Sequence, residues 1–180
     1  MTDIASKPAN PFWDFSLALY GRPEVAPALL GLQDRCGVDV NLLLYCCWQG
    51  SIGQYLSPAD LAAARDATAL WQHDVVHPIR AARRRLKAGF QGLSAESIEA
   101  LRRRLGDIEI EAERIAQDAM VTARPLASTA IAAGAAIAAN LKACVSRAEI
   151  PIDPASAADL TAILRGCVPD ADLAELDFAS

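Results

Sequence analysis

Two long segments whose apolar residues recur every three or four positions lie on either side of a short stretch that contains Gly89 and Gly92. That spacing is typical of one face of an α-helix. Pro58 suits the first turn of one helix, and Ser94 suits the N-cap of the next. Because the two apolar stripes are equally long and the loop is short, the simplest way to bury both is a long antiparallel α-hairpin, over about 58–88 and 94–124.

The hairpin hypothesis also predicts which residues of the first helix lie beside which residues of the second, that is, at the same level along the hairpin. Trp71 is expected near Ala112, and Leu86 near Ile98, while Pro78 is expected to kink the first helix because it lacks a backbone N–H. The first stripe consists of Leu61, Ala64, Thr68, Trp71, Val75, Ile79, Ala82 and Leu86. The second consists of Ile98, Leu101, Leu105, Ile108, Ala112, Ile115, Ala119 and Thr122.

The rest of the chain indicates further helices rather than strands. Apolar residues make up 53% of the sequence, but aromatics only 6%, and runs with period-two alternation are absent. We therefore predict an all-α protein, a single helical bundle of about six or seven helices built on the hairpin. The bundle is expected to span 11–168 as one domain, after a flexible leader at 1–10 and before an acidic tail at 169–180.

The start and stop signals of the shorter helices are clear. Pro11, Pro23 and Asp39 each precede an apolar segment that a glycine follows. The alanine-rich stretch 126–141 carries a small-residue ladder at Ala130, Gly134 and Ala138. It is short for a membrane span, so we interpret it as a close-packed internal helix.

The first two thirds of the chain resemble a bacterial family of unknown function. The residues that carry the likeness are FW-FS, LQD and G-DVNLLL followed by a Trp, and later W…VV-P-R…RR-LK, together spanning roughly residues 12–120. The resemblance implies a small all-helical bacterial protein. It supplies no activity, cofactor or catalytic residue.

Charge is distributed very unevenly. Between Arg80 and Arg104 there are eight basic residues and two acids, a net charge of +6 in a chain whose total is −5. Both basic runs lie near the hairpin loop, so they should converge at its tip. The candidate binding residues are Arg80, Arg83, Arg84, Lys87, Arg102 and Arg103.

Three interpretations of this basic tip compete. The arginines can form a solvated face that pairs with the chain's own acids. They can grip a phosphate-bearing small molecule or nucleic acid, or they can dock on an acidic protein partner. The absence of a known reading module or a stacking surface argues against nucleic acid.

Other chemistry has weaker support. His73 and His77 lie four apart, as do Glu109 and Glu113, a spacing that allows a metal cluster between helices. Both histidines fall away from the apolar stripe, so we assign no metal and no cofactor. The five cysteines show no CxxC spacing and lack a partner base, and they suggest small buried thiols in a reducing cytoplasm.

We therefore predict a non-catalytic cytoplasmic interaction protein that docks through its basic hairpin tip, with no membrane span. The alternative is a small-ligand binding protein or enzyme. Its pocket would lie between the N-terminal helices and the hairpin, with Arg80, Arg84 or His77 near the mouth. The oligomeric state is left open.

Overall fold

The structure is a computed structural model that describes residues 10–123, 132–146, 152–168 and 178. Over these ranges it is all-helical, without a strand, and it has eight helices where six or seven were expected. None of the helices described is both long and apolar enough to cross a bilayer. The helices are α1 (Pro11–Tyr20), α2 (Val25–Cys36), α3 (Val40–Ser51), α4 (Pro58–Asp66), α5 (Ala69–Trp71, Gln72–Val76 and His77–Leu86), α6 (Ala95–Ala123), α7 (Ala133–Ser146) and α8 (Pro154–Cys167).

Contacts divide the described chain into two compact units. The core unit contains α1–α3, α7 and α8, and the hairpin unit contains α4–α6 between residues 58 and 125. A single bundle with the hairpin as its spine is therefore not confirmed, and the single domain over 11–168 stays a prediction. The proposed leader, apart from Asn10, and the acidic tail, apart from the buried Phe178, lie outside the described residues.

Several helix ends of the core unit follow the capping residues that the sequence contains, although α2 begins at Val25 rather than at Pro23 and has no side-chain cap. The side chain of Asn10 accepts a hydrogen bond from the Trp13 N–H at 3.0 Å, and that of Asp39 accepts one from the Asn41 N–H at 2.7 Å. Gly37 ends α2 with a φ of 62°, a left-handed conformation that favours glycine. Each cap satisfies main-chain groups that a helix end leaves without a partner.

Helix α3 is the centre of the core unit, and every residue from 41 to 50 is buried. This agrees with an apolar character on all sides of the helix. The Phe12 ring of α1 stacks on Trp48 of α3 with ring centroids 5.1 Å apart, and it meets Tyr45 edge-on at 5.5 Å. The opposite side of α3 packs against α7, and α2 packs against α8.

The packing of α3 on α7 depends on a glycine that the sequence analysis read only as a helix end. A Cβ atom at Gly50 would lie 2.6 Å from the main-chain N and Cα of Ile137. The alanine-rich stretch does contain a packed helix, since Ala136, Ile137 and Ala138 are buried. Of the predicted small-residue ladder, Ala138 is buried, and Ala130 lies outside the described residues.

Helix α8 begins at a capping residue and continues past a glycine. The Asp153 side chain accepts a hydrogen bond from the Ser156 N–H at 2.7 Å. Gly166 lies inside the helix, where a Cβ atom would clash with the Val25 side chain. Its small size therefore serves the packing of α8 on α2.

The first arm of the hairpin is not one continuous helix, which corrects the expected helix over about 58–88. It breaks between α4 and α5, where the Thr68 hydroxyl donates to the Arg65 carbonyl. Within α5, Gln72–Val76 is π-helical, and the His77 N–H donates to the Gln72 carbonyl five residues back. Because Pro78 has no N–H, the α-helical bonding pattern is interrupted here, and the π-helical turn accommodates the interruption.

The predicted register of the hairpin is confirmed, but the face through which α6 packs is not. The indole Nε1 of Trp71 donates a hydrogen bond to the Ala112 carbonyl at 2.9 Å, so Trp71 lies beside Ala112 as the hairpin hypothesis predicts. However, the buried side of α6 carries Glu109, Ala112, Ala116, Gln117 and Met120. The predicted stripe was wrong for Leu101, Ile108 and Ile115, which are exposed, as is Thr122.

Candidate functional site

The hairpin tip, residues 83–102, holds a pocket of about 610 Å³ between the end of α5, the loop and the start of α6. Gly89 and Gly92 adopt positive φ values of 71° and 81°, so the loop turns sharply at both positions. Leu86 and Ile98, predicted to lie at one level, both line this pocket. The lining residues are Arg83, Leu86, Lys87, Gly89, Phe90, Leu93, Ala95, Ile98, Glu99 and Arg102.

The apolar part of the pocket is partly open to solvent. Leu86 and Ile98 are half-buried, whereas Phe90 is 39% and Leu93 64% exposed. The guanidinium carbon of Arg85 lies 4.0 Å from the centre of the Phe90 ring, and the same side chain donates to the Gly89 carbonyl. A cation over an aromatic face is attractive, so Arg85 holds the Phe90 ring in place.

Arg80 and Arg83 are bound within the hairpin rather than presented at its tip. Both side chains contact the Glu109 carboxylate, with Nε–Oε distances of 2.9 Å for Arg80 and 2.5 Å for Arg83. Arg80 also pairs with Glu113, which accepts a second hydrogen bond from Gln72 at 3.1 Å. This polar network fixes α5 against α6.

The charge state of this network follows from its geometry. Burial raises the pKa of Glu109, but hydrogen bonds and charge from Arg83 and Arg80 outweigh it and leave the pKa below its ordinary value. The hydrogen bond that Arg83 donates to Glu109 also raises the pKa of Arg83. Glu109 is therefore ionised at neutral pH and neutralises much of the charge that these two arginines add.

Arg102 is paired more loosely at the rim of the pocket. It forms two hydrogen bonds of 2.7 Å with Glu99, one turn earlier on α6. The hydrogen bond to Arg102 lowers the pKa of Glu99. Both side chains are partly exposed, so an incoming carboxylate or phosphate can compete for this guanidinium.

The six basic residues singled out from the sequence thus separate into two groups. Arg80, Arg83 and Arg102 pair with acids of the same hairpin. This agrees with the interpretation in which the arginines pair with the chain's own acids. Arg84, Lys87 and Arg103 are exposed and form no ion pair with an acid in the described part of the chain, although the charge of Arg103 contributes to the lowered pKa of Glu99. The pocket brings together Arg83, Lys87 and Arg102 from both helices.

The histidine and glutamate pairs do not converge. His73 and His77 are exposed, and His73 contacts Asp74 at 2.6 Å. Glu109 and Glu113 point into the hairpin, where arginines hold them. No group of three or more potential metal ligands with suitable geometry occurs among the residues described.

The cysteines are all free thiols of the core unit. Cys36, Cys46, Cys47 and Cys144 are buried, and Cys167 is half-buried. Burial and a hydrogen bond to Cys144 raise the pKa of Cys46, and burial and a hydrogen bond to Cys167 raise that of Cys47. Raised values keep both thiols protonated, which is the opposite of what a nucleophilic cysteine needs.

Sequence reasoning missed the apolar half of the tip pocket. Phe90 and Leu93 were passed over as loop residues, although two large apolar side chains in a glycine-rich turn are an unusual choice. The role of Glu99 as a partner of Arg102 is not evident from the sequence either. The available signal is that two large apolar residues lie in the loop between the two basic runs.

Fold and tip together define a small all-helical protein that carries a basic hairpin. The chain belongs to the family described as "Protein of unknown function (DUF2390)", whose model matches residues 11–120. No match was found among curated proteins or among solved structures.

Proposed function

We propose that this protein is a non-catalytic interaction module whose hairpin tip binds an acidic segment of a partner protein. The observation that supports the proposal is the combination found at the tip. An open apolar pocket formed by Leu86, Phe90 and Leu93 lies between basic residues of both helices. Such a surface accepts an apolar anchor flanked by carboxylates, because the anchor is desolvated while the charges steer and orient it.

The exposure of the pocket favours a protein segment over an enclosed metabolite. Leu93 is mostly exposed in the free protein, and its burial on binding would add about 25 cal/mol for each Å² covered. Lys87 is exposed at the pocket and forms no ion pair with an acid of the described chain, so an acidic ligand can pair with it without breaking an existing contact. Arg102 would exchange Glu99 for the ligand.

The experiment is a fluorescence anisotropy titration with a labelled peptide in which Leu-Phe is flanked by three acidic residues on each side. The variant Lys87→Glu/Arg102→Glu should weaken binding at least tenfold, roughly what removing two close charge pairs costs. The control Arg165→Glu, on the exposed side of α8, alters net charge but not the tip and should leave affinity unchanged.

A second pair of variants tests the apolar anchor. Phe90→Ala and Leu93→Ala should each weaken the same peptide, because both remove apolar area from the pocket. Circular dichroism establishes that each variant remains helical. Failure of the wild-type protein to bind, or equal binding by the tip variant, would reject an acidic protein partner.

A phosphate-bearing small molecule is the second candidate ligand. The pocket volume of about 610 Å³ lies within the range of small-molecule sites, and Arg83, Lys87 and Arg102 line it together. A thermal-shift screen with nucleotides and sugar phosphates distinguishes the two. Stabilisation by such a compound, lost in Lys87→Glu/Arg102→Glu, would favour this candidate. A site near Arg80, Arg84 or His77 also stays a prediction.

A cytoplasmic location is part of the proposal. Five free cysteines, four of them buried, suit a compartment in which thiols stay reduced.

A further inference from the structure

The outer stripe of α6, formed by Leu101, Ile108 and Ile115, is an apolar surface that the hairpin does not use. These side chains are 47%, 48% and 47% exposed. Successive helical residues are about 100° apart, so Ile108 points about 100° away from the buried Glu109. The stripe therefore lies beside the interface with α5 rather than within it.

The spacing of the outer stripe is that of a helix that packs along another helix. Its members are seven residues apart, which returns each side chain to nearly the same direction after two turns. On α5, Val75, Ile79 and Leu86 belong to the predicted companion stripe and are only half-buried. The two helices of a hairpin form a single layer, and an apolar face of this length is normally buried by a second layer of helices.

The outer stripe is complementary to itself. A two-fold axis at Ile108, perpendicular to α6, sets Ile108 against Ile108 of the second copy and Leu101 against Ile115. The same axis brings Arg104 to within one residue of the level of Glu111, an offset of about 1.5 Å along the helix. Arg104 and Glu111 lie on the same side of the stripe, so the two-fold axis generates this pairing twice.

The charge along α6 favours the same arrangement. On the side of α6 that faces away from α5, Arg103 and Arg104 lie before Ile108, whereas Asp107, Glu111 and Asp118, with one basic residue, Arg114, lie beside or after it. Antiparallel packing places the basic half of one helix against the acidic half of the other. Parallel packing would instead set like charges together.

We propose that a second copy of this chain covers the outer stripe, so that two hairpins form an antiparallel four-helix bundle with α6 packed on α6. The hairpin tips then lie at opposite ends of the bundle. This interface uses a different face of the hairpin from the tip pocket.

Sedimentation velocity of the full chain over the micromolar range tests the proposal. The wild-type protein should sediment as a dimer. Ile108→Asp places two carboxylates at the symmetry axis and should raise the dimer dissociation constant at least tenfold, roughly the cost of facing like charges. The matched control is Ile110→Asp, because Ile110 is 56% exposed on the opposite side of α6. It should leave the dimer intact.

Charge reversal provides a test that does not depend on an apolar residue. Arg104→Glu and Glu111→Arg should each weaken the dimer, and the double variant should restore it. The two residues lie seven positions apart on one helix, about 10.5 Å, so restoration cannot come from contact within a chain. A monomeric wild-type protein, an unaffected Ile108→Asp dimer, or a double variant no better than either single one would overturn the proposal.

Discussion

Asn140 is fully buried in α7 and satisfies three main-chain groups of the core unit. Its Nδ2 donates to the carbonyl oxygens of Cys46 at 3.2 Å and Gln54 at 2.9 Å. Its Oδ1 accepts from the Leu56 N–H at 2.8 Å. One side chain therefore ties α7 to α3 and to the segment that leads out of it.

Asn140→Ala should cost about 3 kcal/mol of unfolding free energy, because it removes the bonds of the Gln54 carbonyl and the Leu56 N–H inside the core, together with a second bond to the Cys46 carbonyl. Urea unfolding followed by circular dichroism measures the loss. The control is Ser146→Ala, an exposed position on the same helix. A loss no greater than that of the control would show that water or a local shift replaces these bonds.

At the scale of elements, the hairpin is held together as much by buried polar groups as by apolar ones. Trp71 and Gln72 of α5 reach Ala112 and Glu113 of α6, and Arg80 and Arg83 share Glu109. Breaking such a network by removing one member leaves the others desolvated and unpaired. The hairpin should therefore be sensitive to acid.

The pKa of Glu109 is lowered in the folded protein, so its contribution to stability is present above the ordinary carboxyl pKa and is lost as pH falls through the folded value. At neutral pH, Glu109→Gln should cost about 2 kcal/mol through weakened charged hydrogen bonds. As pH falls below the ordinary carboxyl pKa and through the lowered pKa of folded Glu109, the two proteins should converge in stability. Urea unfolding across this pH range measures the difference in unfolding free energy between the wild-type protein and Glu109→Gln, with exposed Glu96→Gln as the control. If that difference does not change with pH, ionisation of Glu109 is not its cause.

The hairpin also shows what helical periodicity can establish. The stripe from Ile98 to Thr122 predicted a long helix, and α6 runs from Ala95 to Ala123. It did not predict the packed face, because Glu109 and Gln117 are buried where the pattern reads polar. The burial of Glu109 depends on Arg80 and Arg83 of α5, which no local pattern reveals.

At the scale of the whole molecule, the family match ends before two helices of the core unit. Residues 11–120 match, whereas α7 and α8 follow residue 131. Yet α3 packs on α7 and α2 on α8. The matched region alone therefore lacks the surfaces that bury the apolar faces of α2 and α3.

Truncation after Ala123 should prevent the core unit from folding. Deletion should expose residues such as Val25, which is buried in the whole chain against Gly166 of α8, and an apolar side chain of this kind costs about 1.5–3 kcal/mol when returned to water. Size-exclusion chromatography and thermal unfolding should show aggregation and loss of a cooperative transition. Separately expressed residues 132–168 should restore folding when added. A soluble, cooperatively unfolding truncated chain would contradict the role given to α7 and α8.

The sequence by itself determined the helical class, most helix ends and the level of Trp71 opposite Ala112, because capping residues, glycines and helical periodicity are local properties. It also placed the basic residues near one loop. Tertiary structure alone decided that Arg80 and Arg83 pair inward with Glu109, that Gly50 and Gly166 are contact residues, and that Phe90 and Leu93 complete a pocket. These features depend on which elements meet, and residues far apart in sequence carry no local sign of meeting.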